Sequence, residues 1–244
     1  MREEFRPIAI QRGEGKIASL GFALRCWLDL QLLTCLRFVS ANRKLLWGDI
    51  LDVGCGEMPY RHLLPRDASY TGIDIADPAK FDMTRDQGVI AFNGRDIPFA
   101  DHSFNAILCT EVLEHVIDPE ALVAEMHRVL RPGGTMLVTV PYSARVHYVP
   151  YDFHRFTRYR LKQLFWECGK VEVEERGNDI AVIANKIIVA TLRQATPFNI
   201  LRWPLLLFGL MATAIALPIA HLTLWFGWGS RLDPLGYGVI VRKR

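Results

Sequence analysis

Leu51-Asp52-Val53-Gly54-Cys55-Gly56 is followed, 18 positions after Gly56, by the acidic Asp74 of Tyr70-Thr71-Gly72-Ile73-Asp74-Ile75. A strand ending in a glycine turn, with a carboxylate at the end of the next strand, is how open α/β sheets hold a ribose. The glycines permit a sharp turn and a close backbone approach, and Asp74 can accept hydrogen bonds from two ribose hydroxyls. What the turn lacks narrows the ligand. It runs Gly54, Cys55, Gly56, Glu57, Met58, Pro59, without the third glycine of a pyrophosphate-binding turn and without the Gly-Lys-Ser/Thr of a P-loop. The Glu57 carboxylate would also suit a phosphate badly.

Three more blocks follow in order: Ile97-Pro98-Phe99-Ala100-Asp101-His102-Ser103-Phe104-Asn105-Ala106-Ile107, then Glu111-Val112-Leu113-Glu114-His115, then Leu130-Arg131-Pro132-Gly133-Gly134. Through them, residues 50–170 resemble the class I S-adenosylmethionine (SAM) methyltransferases, particularly the bacterial group that includes ubiquinone and menaquinone biosynthesis enzymes. The resemblance implies a doubly wound, mostly parallel, seven-stranded α/β sheet of Rossmann-like kind, with SAM as cofactor. It turns Asp52, Gly54 and Gly56 toward the methionine part, Asp74 and Ile75 toward the ribose, and Asn93 with Gly94 toward the adenine edge. It also counts Thr110 among the cofactor-binding residues. Many relatives carry Asp at position 93; the Asn93 amide oxygen can still accept from the adenine amino group.

Periodicity gives a matching order of elements. Short apolar runs bounded by turn residues predict strands over Asp49–Val53, Tyr70–Asp74, Phe104–Thr110, Thr135–Pro141, Lys170–Glu175 and Gly236–Val241, the last antiparallel. Helices are predicted over Pro119–Leu130 and, capped by Thr157, over Thr157–Cys168. Half of the 244 residues are hydrophobic, enough for one core. The expected division is an amino-terminal helical cap over 1–45, a SAM-binding core over 46–179, apolar helices over 180–230 and a final core strand over 231–244.

A net charge of +3 without a basic stripe disfavours nucleic acid as partner. The five cysteines, Cys26, Cys35, Cys55, Cys109 and Cys168, are dispersed and form no Cys-x-x-Cys pair, which fits a reducing compartment. Arg2, Glu3, Glu4 and Arg6 are not followed by a typical signal-peptide cleavage region, so the catalytic part is expected inside the cell.

Methyl transfer from a sulfonium needs a positioned nucleophile and, for a hydroxyl, a base. On a helix, Glu111, Glu114 and His115 would fall within about 100° of arc. His115 is then a candidate base oriented by Glu114 or Glu111. Alternatively the three, joined by His147 or His154, hold a divalent metal, as in the metal-dependent O-methyltransferases that the motif resembles. A third reading makes them ordinary helix-start carboxylates and a core-edge histidine. No residue is assigned to a metal on sequence grounds. The run His147-Tyr148-Val149-Pro150-Tyr151-Asp152-Phe153-His154-Arg155-Phe156-Thr157-Arg158 follows the fifth strand, where this family places its substrate cap. It supplies His147, Asp152 and Arg155 as substrate-side candidates, with Tyr151 and His154 behind them. The plain alternative is an Asp152–Arg155 loop salt bridge.

From Trp203 to Ser230 there is no Asp, Glu, Lys or Arg, and Arg202 and Arg231 flank the run. It reaches the roughly 20 residues that cross a bilayer. A single crossing conflicts with strands before and after it in one sheet, so the segment is expected to fold back as a monotopic or re-entrant hairpin bent at Gly209 or Pro218. Trp203, Trp225 and Trp228 would lie at the interface. Ile180–Leu192, interrupted by Lys186, reads as too short for a second span. In the amino-terminal part, Ile17, Leu20, Leu24, Trp27, Leu28, Leu32, Cys35, Leu36 and Val39 recur at helical spacing, with Arg25, Arg37, Arg43 and Lys44 near enough to meet anionic lipid.

The sequence thus points to O-methylation of a lipid-linked or lipophilic acceptor at the cytoplasmic face of the inner membrane. The alternatives are a soluble small-molecule methyltransferase whose insertion is a homodimer interface, and a SAM-binding membrane scaffold without turnover.

Overall fold

The computed structural model describes residues 16–75, 88–195 and 203–244. Arg2, Glu3, Glu4, Arg6 and Arg202 lie outside them. The strands are β1 (Asp49–Val53), β2 (Ser69–Ile75), β3 (Val89–Phe92), β4 (Phe104–Thr110), β5 (Leu130–Pro141), β6 (Lys170–Arg176) and β7 (Gly236–Arg242). They form one seven-stranded sheet in the order β3-β2-β1-β4-β5-β7-β6. β1 runs parallel to both β2 and β4, whereas β7 is antiparallel between β5 and β6. The order reverses at β1 and β4, which opens a crevice at their carboxyl ends. Ile50, Leu51 and Val53 are fully buried, as an apolar run in a doubly covered parallel strand should be.

The helices are α1 (Lys16–Leu28), α2 (Leu30–Ala41), α3 (Pro119–Val129), α4 (Arg158–Leu164), α5 (Asp179–Ala195) and α6 (Trp203–Phe226). α3 starts where its sequence says. Asp118 accepts from the Ala121 amide at 3.0 Å and Pro119 opens the first turn. It buries Leu122, Val123, Met126 and Val129, each stabilising by roughly 1.5 to 3 kcal/mol relative to exposure.

Three expectations are corrected. The amino-terminal apolar pattern is two helices bent by 108°, because Asp29 interrupts it and caps α2, accepting from the Leu32 amide at 3.1 Å. The helix begun by Thr157 stops at Leu164, and a 3₁₀ turn over Trp166–Cys168 follows. The apolar stretch from Trp203 does not fold back on itself. It is one 24-residue helix that runs through Pro218, with Leu217 and Ala220 buried against Leu30 of α2 and Ala181, Val182 and Ala184 of α5. That packing offsets the backbone hydrogen bond proline removes. The hairpin is made of α5 and α6 together, so the segment set aside as too short is its first arm.

The hairpin leaves and rejoins the sheet at one edge. Arg176 at the end of β6 is opposite Gly236 at the start of β7, which is opposite Pro141 at the end of β5. The base is tied by Asp179 N to Ser230 O (3.0 Å), Asn178 Nδ2 to Trp228 O (2.7 Å) and Ser143 Oγ to Asp233 Oδ1 (2.7 Å). Tyr142 and Ser143 both donate their amides to Leu235 O, at 2.9 and 3.0 Å.

Candidate functional site

At the carboxyl ends of β1 and β2, Gly54 (φ 69°) and Gly56 (φ 50°) make the turn in backbone conformations that glycine adopts readily. The Gly54 and Cys55 amides donate to Ile73 O, and the Gly56 amide donates to Asp74 Oδ2 at 2.7 Å. Asp74 Oδ1 accepts from the Ile75 amide at 2.7 Å, so the carboxylate is fixed on backbone donors at the crevice. Asp52 lies almost fully buried in β1. Its Oδ2 accepts from the Tyr70 hydroxyl at 2.7 Å, and its Oδ1 has no partner among the described residues. Burial raises its pKa to about 7, against the lowering effect of the Tyr70 hydroxyl. These groups offer acceptors, the complement of ribose hydroxyls and an amine, so the residues fit SAM better than a phosphate.

Asn93 departs from its expected role. Its Oδ1 accepts from the Arg95 and Asp96 amides at 2.8 and 2.7 Å, and its Nδ2 donates to Asp96. Both lone pairs of the amide oxygen are taken by its own turn. Gly94 beside it has φ 80°, and a Cβ there would touch only Ile75 Cγ2, at 3.8 Å. Thr110 closes β4, paired with Thr139 of β5.

Glu111, Glu114 and His115 do not share a helix face. Glu111 has φ 54°, and Leu113–His115 is a 3₁₀ turn. The reversal sends Glu111 toward Arg176, whose Nη2 donates to it at 2.7 Å. Arg176 also donates to Val140 O and Tyr237 O and reaches Cys35 of α2, so Glu111 belongs to a buried structural junction. Glu114 faces the other way, fully buried, with neither carboxylate oxygen hydrogen-bonded to another of the described residues. Burial and the nearby Glu111 push its carboxyl well above the usual range. His115 donates Nδ1–H to Tyr151 O (2.7 Å), and burial together with His147 lowers its pKa to about 4. Its Nε2 is 3.7 Å from Glu114 Oε1, too long for a hydrogen bond.

The loop after β5 carries the second cluster. Asp152 is almost fully buried; Arg155 donates to both its oxygens, at 2.5 and 2.6 Å, and the His147 amide donates to Oδ2 at 3.0 Å. Burial would raise the Asp152 carboxyl, but hydrogen bonds from His147 and Arg155 outweigh it and hold it well below the usual range. His147 Nδ1 is 3.1 Å from the same carboxylate, and its ring packs edge-on to His115 with centroids 4.8 Å apart. His154 is turned to Val116 O at 2.9 Å, and the Tyr151 carbonyl serves His115. Asp152 and Arg155, expected on the substrate, are therefore engaged with one another and with His147. His147, His115 and Glu114 remain together, each offering a ligand atom within 4.8 Å of the others, a set able to hold a small cation.

Sequence reasoning missed Tyr70, Arg176, and the Ser143–Asp233 bond that joins the loop to the hairpin. Tyr70 was visible only as the first residue of the predicted second strand; Arg176 and Asp233 carry no local signal, because their partners are 65 and 90 positions away.

A methyltransferase domain family matches residues 51–138. The ubiquinone biosynthesis O-methyltransferase of Xanthomonas oryzae pv. oryzae is 34% identical over 114 residues, 43% of this chain and 47% of the relative. That of Idiomarina loihiensis is 34% identical over 112 residues, 41% and 45% of the two chains. The matched region thus spans about half the length of these relatives. Two solved structures share the fold: the [4+2]-cyclase SpnF (21% identity, TM-score 0.54, 87% of this chain and 81% of that one), and a Haloferax volcanii complex of the Trm112 methyltransferase activator with a putative methyltransferase (18%, 0.53, 92% and 93%). With the reversed strand order, the glycine turn and the β2 carboxylate in place, residues 51–138 are a methyltransferase domain of class I SAM-dependent kind.

Proposed function

We propose that this chain transfers the methyl group of SAM to a hydroxyl of a lipophilic or lipid-linked acceptor at the cytoplasmic face of the membrane. One observation carries the reading: the loop bearing His147 and the base of the apolar hairpin are fastened together through Leu235 O and the Ser143–Asp233 bond, so the site and the apolar surface share one edge. An acceptor embedded in lipid meets the site from that edge. The Xanthomonas relative, a ubiquinone biosynthesis O-methyltransferase, supports oxygen as the accepting atom.

Bound SAM supplies an activated methyl on a sulfonium. Asp74 would receive the ribose hydroxyls, and Asp52 would stand on the side of the methionine part. His147, with Nδ1 held by Asp152, presents Nε2 as the base for the acceptor hydroxyl. His115, with its pKa lowered to about 4, is a weak base at neutral pH and instead fixes the wall of the pocket. The experiment is transfer of labelled methyl from SAM into an organic extract of membranes incubated with the protein. Label in lipid is expected, with His147→Ala reducing turnover by roughly 10²- to 10⁴-fold while SAM affinity holds. An unlabelled organic phase with SAM bound would remove the lipophilic acceptor.

A second reading is favoured by the two unpartnered oxygens of buried Glu114: a divalent cation held by Glu114, His115 and His147, which would lower the pKa of the acceptor hydroxyl. Calorimetric titration with magnesium or zinc separates the two, since binding abolished by Glu114→Gln supports the cation and the absence of heat supports His147 as base.

A further inference from the structure

The described part of α6 buries only Leu217, Ala220 and Thr223, unlike a core helix. Phe208, Met211, Ile215, Ile219, Leu222 and Phe226 are exposed and recur at steps of three and four. At 100° per residue they fall within about 80° of arc, one stripe along about 27 Å of helix. The α5 arm carries the opposite pattern. Lys186 and Arg193 are seven positions apart, hence on one face, while Ala184, Ile188 and Thr191 lie about half a turn away, with Ala184 and Ile188 clustered with α6 residues and Thr191 Oγ1 3.4 Å from Thr213 Oγ1. The hairpin therefore has an apolar outer side on α6 and a cationic outer side on α5. End-on entry of its outer half would carry Arg193, near the far end of α5, into hydrocarbon, where an unpaired cation is strongly disfavoured.

α1 extends the apolar side. The Trp27 carbonyl is 2.8 Å from His221 Nε2 and the two rings stack at 5.5 Å, joining α1 to α6. Leu20 and Leu24 of α1 are 72% and 57% exposed. Neither α1 nor α6 contains an Asp or Glu.

We propose that α1 and α6 form one face that lies flat in a lipid bilayer surface, with α5 above α6 on the water side. This rests on the membrane reading and adds the orientation. It holds the sheet edge at a fixed, shallow height over the acceptor.

The test uses the full chain in two single-tryptophan forms, retaining Trp203 or Trp225 with the other tryptophans changed to Phe, and vesicles of phosphatidylcholine and phosphatidylglycerol brominated at shallow or deep acyl positions. Shallow bromines are expected to quench both tryptophans about equally and more than deep ones. Deep quenching of Trp203 with shallow quenching of Trp225 would overturn the flat orientation and leave membrane binding standing. No vesicle binding, with a stable dimer by sedimentation, would overturn both. Leu24→Glu and Ile215→Glu, on exposed positions that do not threaten the fold, should each lower vesicle partitioning at least about tenfold. Unchanged partitioning by Leu24→Glu would remove α1 from the face.

Discussion

Glu114 is a buried carboxyl group whose two oxygens have no side-chain or distant backbone partner among the described residues, beside a histidine whose pKa burial lowers to about 4. Its pKa is raised by burial, so its contribution to stability is complete below the unfolded value of 4.5 and is lost as pH rises through the folded one. Glu114→Gln keeps the neutral shape. It should be more stable than the parent by about 1 to 3 kcal/mol at pH 8, with the difference shrinking toward pH 5, read from urea midpoints. His115 has the opposite sign: lowered from 6.5 to about 4, it contributes fully above pH 6.5 and loses that contribution as pH falls toward 4, so the variant keeps the acid limb. Asp74→Ala should weaken SAM binding by about 10- to 100-fold in a calorimetric titration, the worth of charged hydrogen bonds to the ribose. Asp74 was legible because a strand, a glycine turn and a spacing fix it locally. The geometry of Glu111 was not, since its positive φ accompanies an ion pair with Arg176, a distant partner that no window around Glu111 contains.

Among the elements, β1, β2, β4, β6, β7 and α3 followed from period, caps and turn residues that lie within each segment, whereas β3 was not predicted and β5 starts at Leu130, five residues before its expected Thr135. The hairpin did not. An apolar helix of 24 residues has no internal mark of where its partner lies, and α5 was masked by Lys186, which faces away from α6. The crossing itself depends on a small residue. A Cβ at Gly209 would come within 2.5 Å of Thr191 Oγ1, so the two helices approach too closely for a side chain there. Gly209→Leu should push the arms apart and cost about 1 to 3 kcal/mol, seen as a lower denaturant midpoint or as protease sensitivity confined to residues 179–226. Asp29 is the other local device that periodicity alone hid: an acid amid apolar residues reads as a blemish on one long helix until it is recognised as the cap of the next.

Across the whole molecule, Arg176 is the point where four elements meet: α2 through Cys35, β5 through Val140 O, β7 through Tyr237 O, and the end of β4 through Glu111. Arg176→Met removes all of these at once and leaves Glu111 partly buried without its cation. A loss of about 3 kcal/mol is expected in urea unfolding, with the sheet edge near β6 losing amide protection first in hydrogen exchange. The fold class was readable because the strand order of this family is written in a series of local motifs; the way the sheet is completed was not, because β6 waits for a neighbour that comes 60 positions later, Gly236 opposite Arg176. That delay gives the late strand a kinetic meaning. During synthesis the α5–α6 arms emerge before β7, the ladder neighbour of β6, so the chain presents an apolar hairpin while its catalytic sheet is still open on that side. Seating the hairpin and closing the sheet become one step of a slow, long-range search, during which the apolar arms stand uncovered.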